Sequence, residues 1–216
     1  MPRVVTPVPV GAGTVARSRE PRVLLAVVLA GLVASGIRPR SHGTWLLEVV
    51  PVLLAVPLLV LTFRRFPLTP VAYRVLTAGA LMILLGAHYT YAAVPVGEWA
   101  QHWFGWSRNH YDRAGHVLQG VISAVVLREL LIRRTPLRSG RWLLLVTVLG
   151  ALGVSAGFEI IETTAAVFTG EAGQSYLATQ GDPLDSQHDM TMAVAGVTLT
   201  LLLFRRVHDR ELRPLS

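Results

Sequence analysis

The chain contains no cysteine and no lysine, and only 15% of its 216 residues are charged. Without cysteine there is no disulfide, no thiolate metal site and no thiol nucleophile. A soluble domain carries about 25% charged residues, so the shortage of charge argues against a soluble core. Aromatic residues make up only 7%. What fills the space is aliphatic: 52% of residues are hydrophobic, mean hydropathy is +0.49, and long apolar runs recur. These features predict an all-α, polytopic transmembrane helical bundle.

The absence of lysine leaves arginine as the sole carrier of a formal net charge of +7. No RNA- or DNA-binding motif accompanies that charge, and most arginines flank apolar runs on one side. This is the positive-inside pattern and not a nucleic-acid footprint. The partner it implies is the lipid bilayer.

Six segments are expected to cross it: 22–37, 45–63, 71–87, 114–132, 142–168 and 190–204. A span needs about 20 residues, so the first and last are short. Pro51 and Pro57 lie inside the second, where membrane helices tolerate them. Residues 1–21 read as a flexible cytoplasmic tail, 22–206 as the bundle and 207–216 as a second cytoplasmic tail. The apolar run 23–37 lacks a cleavage pattern and reads as a retained helix, not a signal peptide. With both termini inside, 16 arginines face the cytoplasm and 4 (Arg38, Arg40, Arg108 and Arg113) face out. Residues 95–106, PVGEWAQHWFGW, are too short to span. Trp99, Trp103 and Trp106 recur at helical spacing, which predicts an amphipathic helix in the outer interface.

That topology puts nine of the 13 acids and six of the 7 histidines on the outer side. A rise of about 1.5 Å per residue places Glu159 and Glu162 near the outer boundary of their span, level with His88. Asp112 and His116 open the fourth span there, Asp185, His188 and Asp189 open the sixth, and Glu48 lies near the outer start of the second. Glu159 and Glu162 are three apart, while Asp112 and His116, and Asp185 and Asp189, are four apart. Each pair therefore shares a helix face, and Gln119 follows His116 on the same face.

Carboxylates and imidazoles are hard donors suited to a divalent metal. The expected ligands are His116, Glu159, Glu162, Asp185 and Asp189. Asp112, His116, Glu159 and Glu162 are the expected catalytic groups. Arg108, Arg113 and Gln119 are the expected contacts to substrate, an envelope-lipid head group being the class the position suggests. For the aspartates, helix capping is a competing explanation. Glu159 and Glu162 sit late in a helix, where an acid gains nothing from the dipole. His42 and His102 read as exposed, His88 and His110 fit either role, and Tyr89, Tyr91 and Tyr111 read as interface anchors. A proton- or ion-coupled carrier and a structural scaffold are the other two readings.

The runs GAHYTYAAVPVGEW, RNHYDRAGHVLQG, FEIIE and TQGDPLDSQHDM resemble the YjdF-like family of bacterial inner-membrane proteins, a domain of unknown function, over about residues 22–206. A weaker resemblance is to VanZ-like membrane proteins, whose pattern is Asp-Lys-x-x-His, then Glu-x-x-Gln, then an Asp before a final helix. Asp112-Arg113-x-x-His116 matches the first with Arg for Lys. Glu159-x-x-Glu162 matches the second with Glu for Gln, and Asp185 or Asp189 can match the third. These resemblances imply a bacterial inner-membrane location and, for the VanZ-like pattern, an envelope role linked to glycopeptide-antibiotic resistance. Ser107-Arg108 followed by His116 does not have the Arg-to-His spacing of lipid phosphatases, and no Pro-Ser-Gly-His precedes it.

Overall fold

The computed structural model describes residues 18–213. The expected N-terminal tail lies outside the described residues up to position 17. Among the described residues the chain is all-helical. The elements are α1 (Glu20–Ser35), α2 (His42–Thr62), α3 (Pro70–Tyr89), a 3₁₀ turn (Tyr91–Ala93), α4 (Pro95–Phe104), α5 (Tyr111–Arg134), α6 (Arg141–Thr169), α7 (Glu171–Leu177) and α8 (Asp185–Leu199). A π-helical stretch (Thr200–Phe204) joins α8 to α9 (Arg205–Leu212), so the helix is continuous over Asp185–Leu212.

Among the described residues, five helices are long and apolar enough to cross a membrane: α2, α3, α5, α6 and the continuous α8–α9. At 16 residues, α1 is shorter than a full span of about 20. The outer surface is apolar, as a lipid-facing surface must be. Leu54, Leu61, Ile160, Val167 and Phe168 are all exposed. Pro51 and Pro57 stand inside an unbroken α2. The tryptophan-rich segment forms α4, ending at Gly105 in the left-handed region, with Trp99 and Trp103 exposed and in ring contact. The helix continues through Leu212, so residues 207–212, expected to belong to the tail, are helical. Helix α7 and the 3₁₀ turn are additions that apolar periodicity did not signal.

Local chemistry sets the helix starts. Ser41 accepts from Thr44 N–H at 3.2 Å to cap α2. Thr69 accepts from Ala72 N–H at 3.3 Å to cap α3, with Pro70 following it; both are standard N-cap devices. The arginine-rich end is closed by paired charges. Glu129, fully buried, accepts from Thr69 N–H at 3.0 Å and from its hydroxyl at 2.8 Å. Arg133 donates to Glu129 at 2.5 Å and to Pro67 O at 2.7 Å. Arg128, also buried, donates to Asp209 at 2.6 Å, and Glu211 accepts from Val71 N–H at 2.9 Å.

The helix pair that positions the acid-rich site is α5 against α8, the most extensive contact among the described helices. It is built on absent side chains. A Cβ added to Gly120 would collide with the Ala193 carbonyl oxygen, and one added to Gly196 with the Val117 carbonyl oxygen. Small residues let membrane helices approach backbone to backbone. The approach brings the N-terminal ends of α5 and α8, and the acids they carry, face to face.

Candidate functional site at the acid-rich end of the bundle

Helix α5 contributes Asp112 and His116 from its first two turns, α6 contributes Glu159 and Glu162, and α8 contributes Asp185 and Asp189. All six are buried. His116 is the hub. Its Nδ1 faces Gln119 Oε1 at 3.2 Å, which fixes the ring. Its Nε2 lies 3.7 Å from Asp112 Oδ1 and 3.6 Å from Glu159 Oε1, too long for hydrogen bonds. Four donors about 2.1 Å from a tetrahedral metal ion stand about 3.4 Å from one another, so these separations resemble the edges of a coordination shell. Two groups overlap at this imidazole: Asp112, His116 and Asp189, and His116, Glu159 and Glu162. Within each, one donor atom per residue lies within 4.8 Å of the others.

Glu159 has a side-chain hydrogen bond with Ser186, but two of the carboxylates keep one oxygen free. Glu159 Oε1 and Asp189 Oδ1 are buried without a hydrogen-bond partner among the described residues. A buried carboxylate in that state demands a proton, a cation or a ligand. With four carboxylates around one imidazole, the arrangement can hold one divalent ion on Nε2, in either group, or store and pass protons.

Asp185 belongs to a different layer. Arg108 Nη1 donates to it at 2.6 Å and reaches Asp182 at 3.3 Å. Arg113 donates to Asp182 at 2.5 Å. Both expected substrate arginines therefore sit in a carboxylate clamp beside the two groups around His116. Two residues that build this lid carry no local signal of that role. Asn109, fully buried, donates to Ala92 O and Val94 O at 3.3 and 3.1 Å and accepts from Tyr111 N–H at 2.9 Å, which starts α5. Gln180 grips the Asn109 backbone twice, at 2.9 and 2.8 Å. The pairing joins sequence positions 71 apart, beyond the reach of local pattern. Ala178 and Gln180 both hold φ near +49°, a strained left-handed conformation for residues with a Cβ.

Other outer polar groups stand apart. Glu98, Glu171, His42 and His102 are exposed. His88 Nδ1 lies 3.0 Å from Ser35 O and ties α3 to α1. Tyr111 donates to Met82 O at 2.9 Å, an anchoring role. Burial, then the Arg113 and Arg108 charges, push the His110 pKa down. Burial, then Glu48, push the Tyr91 phenol up. Burial, then Glu162 and Glu48, push the Tyr176 phenol up. Both phenols therefore stay neutral O–H donors.

Glu48, like Asp185, joins neither group. It is buried, with Oε1 unpartnered among the described residues. Together with Asp112, His116, Gln119 and Glu162 it lines one end of a cleft of about 860 Å³ that extends between α1, α2, α3, α5 and α6 as far as Arg22 and Arg64.

Asp182 gives the lid a pH dependence. The Leu184 N–H donating to its carboxylate, then His188 and the Arg113 charge, hold its pKa below the usual value. A depressed carboxylate contributes stability that is present above its unfolded value and is lost as pH falls through the folded one. Loop 178–184 is therefore expected to lose amide-exchange protection, corrected for intrinsic rates, below about pH 4. Protection of that loop that persists at pH well below the carboxylate range contradicts the clamp.

Two comparisons bear on family. The description "Predicted membrane protein (DUF2238)" matches residues 20–210. The chain is 42% identical over 182 residues to "Inner membrane protein YjdF" of Escherichia coli (strain K12), covering 84% of this chain and 87% of that protein. No solved structure matches. The matched region contains α1 to α8 and every residue of the candidate site, and the chain belongs to the DUF2238 family of predicted membrane proteins.

Proposed function

We propose that this membrane protein crosses the bilayer six times, with both termini in the cytoplasm, and binds one divalent metal ion at an outward-facing site. The arginine distribution supports the topology, with α1 as the additional, short crossing. The cysteine-free sequence allows a direct check. Ser107→Cys is expected to react with a membrane-impermeant maleimide in intact cells, and Ser139→Cys only after lysis. The opposite labelling contradicts the orientation.

The observation that carries the metal reading is His116 Nε2, set 3.7 and 3.6 Å from oxygens on two different helices with no hydrogen bond formed. Asp112, Glu159, Glu162 and Asp189 supply oxygen, His116 supplies nitrogen, and Gln119 orients the ring as an outer partner does in metal sites. Mixed nitrogen and oxygen donors favour zinc, manganese or iron over magnesium or calcium. A metal-bound water beside these carboxylates is a base for chemistry on an envelope-lipid head group. Elemental analysis of purified protein is expected to find about one ion per chain in a closed site of this kind, and much less in Glu159→Ala. Absence of any divalent ion from both proteins, after incubation with zinc or manganese, removes the reading.

A second reading, a proton- or ion-coupled carrier, draws on the cleft that reaches from the acids towards Arg22 and Arg64. Buried acids also mark ion paths. It requires proton- or ion-dependent solute uptake by reconstituted vesicles, abolished by Glu162→Gln. The scaffold reading requires a fully paired polar cluster, and the unpartnered oxygens of Glu48, Glu159 and Asp189 speak against it.

A further inference from the structure

We propose that the cleft binds a single-chain amphiphile with an ammonium head, the chain lying between α1, α2, α3 and α5 and the head resting on Glu48. This goes beyond the metal reading and does not depend on it, because Glu48 belongs to neither ion-holding group.

Size and the order of polarity carry the inference. At about 860 Å³ the cleft lies at the upper end of the ~300–1,000 Å³ range of small-molecule sites. Its length follows α2: from Glu48 to Thr62 the helix advances roughly 21 Å at about 1.5 Å per residue, about two thirds of a hydrocarbon core of about 30 Å. The middle is lined by Val52, Val56, Leu59, Leu76 and Ile83. A polar head followed by a long apolar body is the profile of a membrane amphiphile and not of a soluble metabolite.

Charge decides the head. The outer end presents Glu48, Asp112 and Glu162 to the cleft, and His116 is the one ionisable nitrogen among its lining residues there. An anionic head would face three carboxylates. Glu48 is buried with an oxygen that no described group satisfies, and a buried carboxylate is stabilised by a hydrogen-bonded cation. The arginines at the far end do not compete for this role. Arg22 and Arg64 are exposed, with their heads in water and their stems on apolar surface. Tyr91 and Tyr176 line the cleft beside the acids and offer neutral hydroxyls to the polar part of the ligand.

The experiment uses the full chain in lipid nanodiscs and three photoreactive probes with one long alkyl chain, carrying a diazirine near the chain end. Their heads are an amine, an alcohol or a phosphate. The amine probe is expected to label residues 52–60 and 76–83 about tenfold more than the alcohol, as a charge-assisted hydrogen bond warrants. Glu48→Gln is expected to erase the amine preference and leave labelling at the alcohol's level. Ala55→Trp, which fills the middle of the cleft, is expected to cut labelling by about tenfold, a loss of the size that blocking a site produces. If that variant does not fold, competition on the wild-type protein decides: unlabelled alkylamine must displace the probe, and the alcohol at equal concentration must not. Equal labelling by amine and alcohol, preference for the phosphate, or labelling indifferent to Ala55→Trp overturns the proposal. All labelling is read in protein stripped of divalent ions by chelator. Labelling there supports the cleft whatever the metal analysis finds, and labelling that appears only on adding manganese overturns the role given to Glu48.

Discussion

Gly120→Leu is expected to destabilise the protein by about 3 kcal/mol or more, the upper range for overpacking a filled interface, and to weaken divalent-ion binding with it. At this position a Cβ already meets the Ala193 carbonyl, which is backbone and cannot rotate away as a side chain could. Helices α5 and α8 must therefore separate. They carry Asp112 and His116 on one side and Asp189 on the other, so one ion-holding group comes apart. Gly196→Leu is expected to behave alike, since its Cβ meets the Val117 carbonyl. Gly153, whose added Cβ meets nothing within 4 Å, provides the comparison: Gly153→Leu is expected to leave both properties near wild type. Thermal unfolding in detergent, read beside metal content, checks all three. An unchanged unfolding temperature in Gly120→Leu contradicts the packing argument.

His116→Ala carries the second large effect. The imidazole is common to both ion-holding groups, whereas each carboxylate belongs to one. Loss of an outer partner costs about 10- to 100-fold in metal affinity, so removal of the shared ligand itself is expected to cost more than about 100-fold. Asp189→Asn and Glu162→Gln each leave one group whole and are expected to cost less than His116→Ala. Gln119→Ala should fall near the outer-partner range, since it frees the ring without removing a donor. Titration with zinc or manganese under chelator buffering ranks the four. A ranking in which Gln119→Ala matches His116→Ala would mean that the imidazole does not ligate.

How much of this could be read from the sequence follows from the range of each physical signal. The helical character of the chain and four of its spans follow from apolar runs, which are local. Pair spacing within α5, α6 and α8 is local too, and it identified residues that the fold brings together: Asp112, His116, Glu159, Glu162 and Asp189. Depth counting worked because a helix rises uniformly, so equal distance from the boundary becomes proximity once helices pack. It could not separate Asp185 from Asp189. Both face the same way along α8, but Arg108 arrives from a loop and takes Asp185. It also left Glu48 as one outer acid among nine, because burial without a partner is a property of the assembled bundle. The Asn109–Gln180 lid and the Gly120–Ala193 approach join positions far apart in the chain. The small residues that permit the approach are visible in the sequence, but their partners are not.

The claim that everything else rests on is that one imidazole and carboxylates from three helices meet around a common point. Electron-spin-echo spectroscopy of manganese(II) bound to the purified protein tests it most directly, because it reports the nitrogen nuclei bonded to the metal. Coupling to a single imidazole nitrogen is expected in the wild-type protein and none in His116→Ala. Manganese that binds without any nitrogen coupling, or a coupling that survives His116→Ala, would contradict it.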